Sequence, residues 1–421
     1  AASTRTKYFM HANDSTSSLE IPLLAAPHRT LFFAGLASLL AASAWWGLHL
    51  VARSTGTPVF ALALQPAPIW AHAYLMLFAV FPTTFFGFLF TVFPRWMNGP
   101  LVTRTEYVAT ASLFATGTVL WLAGTFAGLA LLLLACLATG AGLLLGTVSL
   151  FRVLLAAPQV VSHAVVVLIG LCVQCVALAG FAYGLAESND FALHFAVRAS
   201  LWGGLLPVFF AVCHRMVPFF SQGAIPGYVP WRPTWVLVAV VGLAYLRLLL
   251  GTAGALAALP FVDAAAFLLT AWCALRWTSL HARGNPLLWT LYAGFAWLPF
   301  ALLLQTLRDG AFALTGAWAL GRAPIHALGM GFFGGMLVAM VTRVTMGHSG
   351  RPLRMDRITL ACFVTLQLGA VSRVLSEVVT APAAVQWFLL GSVALWLGAV
   401  AVWVGRVGGI YLAPRIDGKP G

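Results

Sequence analysis

Apolar runs of membrane-crossing length recur along the whole chain, separated by short breaks rich in Gly, Pro and basic residues. Twelve can be laid out, at about residues 30–52, 70–93, 106–125, 128–150, 160–183, 194–213, 234–252, 259–277, 287–307, 325–346, 358–378 and 383–405. Each holds about 20 mostly apolar residues, enough for a helix to cross a bilayer's hydrocarbon core. The third and fourth runs are parted only by the stretch Gly124 to Gly128. A single helix of their combined length would overshoot any bilayer, so a hairpin is expected there. The pattern predicts an all-α polytopic membrane protein: a polar cytoplasmic tail at 1–29, one twelve-helix membrane domain at 30–405 and a cytoplasmic C-terminal tail at 406–421. The loops are too short for an extramembrane domain.

Composition agrees. The chain is 61% hydrophobic and only 8% charged, with mean hydropathy +0.95, which excludes an ordinary soluble domain. A formal net charge of +13 invites a nucleic-acid reading, but the basic residues sit in short loops between apolar runs. Of the 23 Lys and Arg, seventeen fall on the side bearing the N-terminus and three (Arg53, Arg308, Arg322) on the other. That asymmetry places both termini in the cytoplasm and makes the lipid bilayer the partner, not nucleic acid. Residues 1–29 lack the apolar core of a secretory signal. The six cysteines are scattered, mostly within apolar runs, and do not form a disulfide framework.

Arg198, Arg247, Arg343 and Arg373 lie within or at the edges of spans, where an ion needs a partner. Span 10 carries His326 at one end and His348 at the other, 22 residues apart, roughly 33 Å along a helix. They cannot share one metal. With the topology assigned, the ten histidines sort by depth. His49, His72, His194 and His326 lie near the outer surface; His163, His214, His281 and His348 lie near the cytoplasmic one; His11 and His28 belong to the tail. Span 2 opens Ala67-Pro68-Ile69-Trp70-Ala71-His72-Ala73-Tyr74-Leu75-Met76, and span 10 opens Ala323-Pro324-Ile325-His326-Ala327-Leu328-Gly329-Met330. Both place His and Met at i and i+4 on one helix face. A single interfacial histidine usually caps a helix end, but matched histidines on two parallel helices are what a bis-imidazole haem requires. His72 and His326 are therefore the expected axial ligands of one b-type haem, with His194 as substitute. Arg198 and Arg322 are expected on its propionates, Arg308 being a further candidate. His163, His214 and His348 are the candidates for a second metal. Met336, Met340 and Met346 would add soft ligands suited to copper, although methionines more often fill packing gaps. Trp70 is expected in the interfacial aromatic belt.

Outer histidines open spans 2, 6 and 10, four helices apart. In outline this resembles the haem–copper oxidase subunit, with twelve spans in three pseudo-threefold arcs of four. The resemblance is architectural. The paired histidines of that family's helix 7 and its His-x-His on helix 10 are absent, so an oxygen-reducing binuclear centre is not expected. A closer resemblance lies in Phe88-Leu89-Phe90-Thr91-Val92-Phe93-Pro94-Arg95-Trp96, in Arg215-Met216-Val217-Pro218-Phe219-Phe220 and in Met340-Val341-Thr342-Arg343-Val344-Thr345-Met346-Gly347-His348-Ser349-Gly350-Arg351-Pro352-Leu353. These motifs resemble the NnrS family, haem- and copper-containing bacterial inner-membrane proteins linked to denitrification and nitric oxide. The resemblance implies haem, copper as a second metal, and a role in binding or turning over nitric oxide or in carrying electrons, with quinol or a respiratory complex as partner. Two departures mark a divergent member. The family's His-Ala-His-Glu-Met in span 2 here reads His72-Ala73-Tyr74-Leu75-Met76, and His214 stands where many members have glycine. The alternative readings are a haem or copper transporter and a structural partner of a respiratory complex. For proton supply, carboxylates within the spans are few, leaving Tyr74, Thr342, Thr345 and Gln305 as candidates for a water chain.

Overall fold

A computed structural model describes residues 21–56 and 65–418. Most of the expected N-terminal tail, with His11, lies outside the described residues. Twelve helices are long and apolar enough to span a membrane: α1 (Pro27–Thr55), α2 (Pro68–Met97), α3 (Arg104–Ala127), α4 (Leu129–Ala156), α5 (Ser162–Ala186), α6 (Asp190–Ala224), α7 (Thr234–Thr252), α8 (Leu256–Trp277), α9 (Pro286–Thr315), α10 (Ala323–His348), α11 (Arg357–Leu375) and α12 (Pro382–Leu412). The described chain is all-α. The α3–α4 hairpin turns on Gly128, whose φ of 105° suits a residue without Cβ and stops the helix after Ala127.

The first helix begins earlier than its hydropathy suggests. Pro27 opens it, as proline commonly does, so His28 and Arg29 belong to its first turn and not to a tail. Both are buried. The Arg29 guanidinium donates to the carbonyls of Ile410 (3.3 Å), Tyr411 (3.0 Å) and Ala413, satisfying the open end of α12 and joining the first helix to the last. The described ends of the chain thus share one face, the terminal face. The opposite one is the distal face, where α2, α6 and α10 begin.

Burial ranks the helices. The most apolar windows of α2, α6 and α10 are 89%, 78% and 78% buried, whereas that of α12 is 22% buried. The three helices that carry the outer histidines therefore form the centre, four helices apart, as three arcs of four require. They meet through one ring each: Phe81, Phe209 and Phe333 have centroid separations of 5.9, 5.5 and 4.7 Å.

These same three helices share a departure from regular geometry. A π-helical stretch follows the histidine in each, at Leu75–Val80, Ala199–Leu205 and Ala327–Gly334. Such stretches loosen the backbone ladder and occur disproportionately at functional sites. The loosened turn of α2 is braced from α5, where Gln174 donates to the Leu77 carbonyl at 2.6 Å. In α10 a Cβ on Gly331 would collide with the Trp297 ring, so glycine there is what lets the indole lie against the loosened turn.

Candidate functional site

A cavity of about 530 Å³ opens among α1, α2 and α6 to α12 toward the distal face. That lies within the ~300–1,000 Å³ range of cofactor and ligand sites. It gathers His72, His194 and His326, one from each central helix, together with Arg198 and Arg322. All five residues assigned to the outer site line the same space.

Each histidine is held differently. His72 lies one turn inside α2, its ring stacked on Trp46 at 4.3 Å and 18°. Its Nδ1 is buried and has no hydrogen-bond partner among the described residues. His194 and His326 each donate Nδ1–H to the carbonyl one turn back, Asp190 at 2.8 Å and Arg322 at 3.0 Å. A carbonyl can only accept, so these bonds fix the tautomer and leave Nε2 with a free lone pair, as in metal-binding histidines. Trp70 stands edge-on to His194 at 4.9 Å and lines the cavity. Its position at a helix end gave its depth, but not which side of the helix it occupies.

The cavity's charge is unevenly balanced. Arg247, buried between α7, α8 and α9, bonds to Asp263 and to Asp309, the latter at 2.9 Å. Arg308 adds a contact to Asp309 at 3.2 Å, and Gln305 donates to the same carboxylate at 2.9 Å. Arg373 pairs with Glu377 at 2.6 Å. Beyond the end of α11, burial pushes the Glu377 carboxyl up. The Arg322 backbone N–H and the Arg373 guanidinium outweigh it and hold the pKa below the ordinary glutamate value. Two guanidinium groups remain without an ion pair among the described residues. Arg198 donates only to the Gly251 carbonyl at 3.3 Å, and the Arg322 side chain has no hydrogen bond. Both lie at the exposed rim of the cavity, and two such cations can hold a ligand with two anionic groups.

The terminal face is arranged in pairs. His163 Nε2 and His214 Nδ1 are 2.9 Å apart inside a box of Trp96, Phe210 and Trp277. His348 packs instead on His28, with ring centroids 4.8 Å apart, and bonds to the Val344 carbonyl. The three histidines assigned to a second metal therefore divide between two pairs. Among the described residues no three His, Cys, Asp or Glu side chains converge as metal ligands. The reason lies in the first turn of α1, which brings His28 to His348. The other span cations find local partners: Arg343 covers the Phe220 ring at 4.2 Å.

Several expected proton carriers are also occupied. Tyr74 bonds to Thr139 at 2.7 Å and to the Ala135 carbonyl, Thr342 accepts from Trp403, and Thr345 meets Tyr411. Only Gln305 of the four lines the cavity. The sequence reading missed Trp46 and the cavity position of Asp309. Asp309 had a visible signal, an acidic residue beside Arg308 at the end of an apolar run; Trp46 had none.

No curated protein matches the chain. The family model described as NnrS protein matches residues 22–415. That stretch holds α1 to α12, the distal cavity and both terminal-face pairs, and on it the chain belongs to the NnrS family.

Proposed function

We propose that this is a haem protein of the bacterial cytoplasmic membrane, with both termini in the cytoplasm, serving the response to nitric oxide. The distal cavity is its haem site. One observation carries the reading: three histidines from three central helices and two unpaired arginines line one cavity.

The lining fits a haem. His72 has a buried nitrogen without a partner, and His326 and His194 have tautomers fixed with Nε2 free. His72 and His326 would hold the iron, and Arg198 and Arg322 the two propionates. A bound haem supplies a site for nitric oxide or a carrier for single electrons. The protein's part is orientation and an apolar setting. Trp46 fixes the His72 ring plane, the Arg322 carbonyl fixes that of His326, and apolar side chains from eight helices line the site.

Copper fits less well. The His163–His214 pair offers two nitrogens already hydrogen-bonded to each other, with no third ligand among the described residues.

The test is a dithionite-reduced minus oxidised optical spectrum with metal analysis, on wild type, His72→Ala and His326→Ala. A low-spin b-type spectrum lost in both variants is expected, with a shift on titration with nitric oxide. A colourless protein from haem-supplied cells would sink the reading and leave metal handling or a structural role in a respiratory assembly.

A further inference from the structure

Beneath the distal cavity lies a second, much smaller space of about 50 Å³, a cleft walled by α1, α2, α6 and α10. Phe85, Phe88, Val212, Cys213, Met336 and Met340 supply much of its wall. The two spaces meet at Leu337, which lines both. The ring triad stands at the same junction: Phe81 and Phe333 face the large cavity, Phe209 the small one. Each central helix contributes one ring to this partition, and the centroid spacings of 4.7 to 5.9 Å are those of rings in direct contact.

The chamber's chemistry selects its occupant. A water claims about 30 Å³ of liquid volume and needs two to four polar partners. The lining offers almost none. The Thr84 hydroxyl already donates to the carbonyls of Val80 (3.0 Å) and Phe81 (2.9 Å), and the Cys213 thiol is a weak donor. A space of this kind stays dry, yet it is large enough for a small apolar particle. Ions and polar metabolites are excluded by size and desolvation. What remains is a neutral molecule of two or three atoms.

We propose that this chamber is a binding site for a small uncharged diatomic gas, parted from the distal cavity by a gate of Phe81, Phe209 and Phe333. Gas dissolved in the bilayer reaches the chamber between the central helices, and ring rotation admits it to the larger cavity. That the gas is nitric oxide rests on the function proposed above; the chamber and its gate do not.

Xenon is the probe for the chamber. Crystals of the full chain under xenon pressure are expected to show one xenon atom against Met336, Met340 and Cys213. Val212→Phe, which fills the space, should lower that occupancy about tenfold or more, as for a dry cavity closed by a side chain. Val212→Leu serves the same purpose where the larger ring prevents folding. Xenon absent from the wild-type chamber while bound elsewhere, or an ordered water in its place, overturns the proposal. The gate is read in the haem-loaded, reduced protein by the rebinding after a light flash of carbon monoxide that has displaced one axial imidazole. Phe209→Ala should change the return rate about fivefold or more, with the reduced haem spectrum preserved, because the ring contacts that close the gate are gone. An unchanged rate overturns the gate. Xenon in the chamber of a haem-free protein would sink the proposed function and keep the site. A haem spectrum without xenon would do the reverse.

Discussion

The two ends of the bundle set the same residue type in different surroundings. At the distal face three histidines stand apart around one cavity, two with tautomers fixed by backbone carbonyls and one with a buried nitrogen unclaimed. At the terminal face the four histidines lie in two pairs, His163–His214 joined by a hydrogen bond and His28–His348 in ring contact, with His348 also bonded to the Val344 carbonyl and His214 Nε2 buried without a partner among the described residues. The backbone explains part of the contrast. The distal ends of α2, α6 and α10 are loosened by π-helical stretches, while at the other end Arg29 draws α1 and α12 together and packing is direct. What sets the distal histidines apart is the space they face, a cavity of about 530 Å³ with room for a ligand.

The largest expected effect breaks this contrast outright. His72→Ala or His326→Ala should abolish the haem spectrum, whereas His163→Ala and His28→Ala should leave it unchanged. Loss of the spectrum in the terminal-face variants, in protein shown to be folded, would mean that the roles are reversed. Next in size is the buried network beside the cavity. Asp309→Leu removes one of the two carboxylates on Arg247 and leaves a buried cation undercompensated. Breaking such a pair costs about 3–5 kcal/mol, read as a fall in thermal unfolding temperature in detergent. An unfolding temperature equal to wild type would show that Arg247 is solvated by other means.

A smaller effect is expected at the terminal face. His214→Leu keeps approximate volume but strips His163 of its partner within the aromatic box. Leaving one buried polar group unsatisfied costs about 1–3 kcal/mol, with no change in the haem spectrum. Spectral change without loss of stability would reopen the pair as a metal site.

Most of the architecture was legible because membrane spans obey one strong constraint: length and apolarity together decide them. The twelve segments and the α3–α4 hairpin at Gly128 follow from hydropathy and span length, whereas the central rank of helices 2, 6 and 10 emerges only from their burial. The site was legible in its residue types and depth, since ionisable groups in lipid are few and conspicuous. Lateral relations were not. Nothing in the chain indicated that His348 faces His28, that Trp46 lies flat on His72, or that Asp309 reaches Arg247. Helix rotation and neighbour choice decide those contacts. The π-helical stretches were also hidden, because a shift of one backbone bond leaves no hydropathy signature.

The smallest effect sharpens the comparison at the rim of the distal cavity. Glu377 accepts from the Arg322 backbone N–H at 3.0 Å and pairs with Arg373, so it braces the segment that carries His326. Its folded pKa lies below the ordinary value, which is about 4.3 for glutamate. The folded state therefore favours the ionised carboxylate. Its contribution to stability is complete above that ordinary value and is lost as pH falls through the depressed one. A half-exposed pair of this kind is worth about 0.2–1 kcal/mol. Glu377→Gln should lower the unfolding temperature slightly at pH 7 and flatten its decline between pH 5 and pH 3 (about one unit either side of glutamate's ordinary value). A variant that declines as steeply as wild type would assign the acid sensitivity to other carboxylates. It would leave Glu377 as a neutral hydrogen-bond acceptor for the Arg322 turn, a role that glutamine can fill.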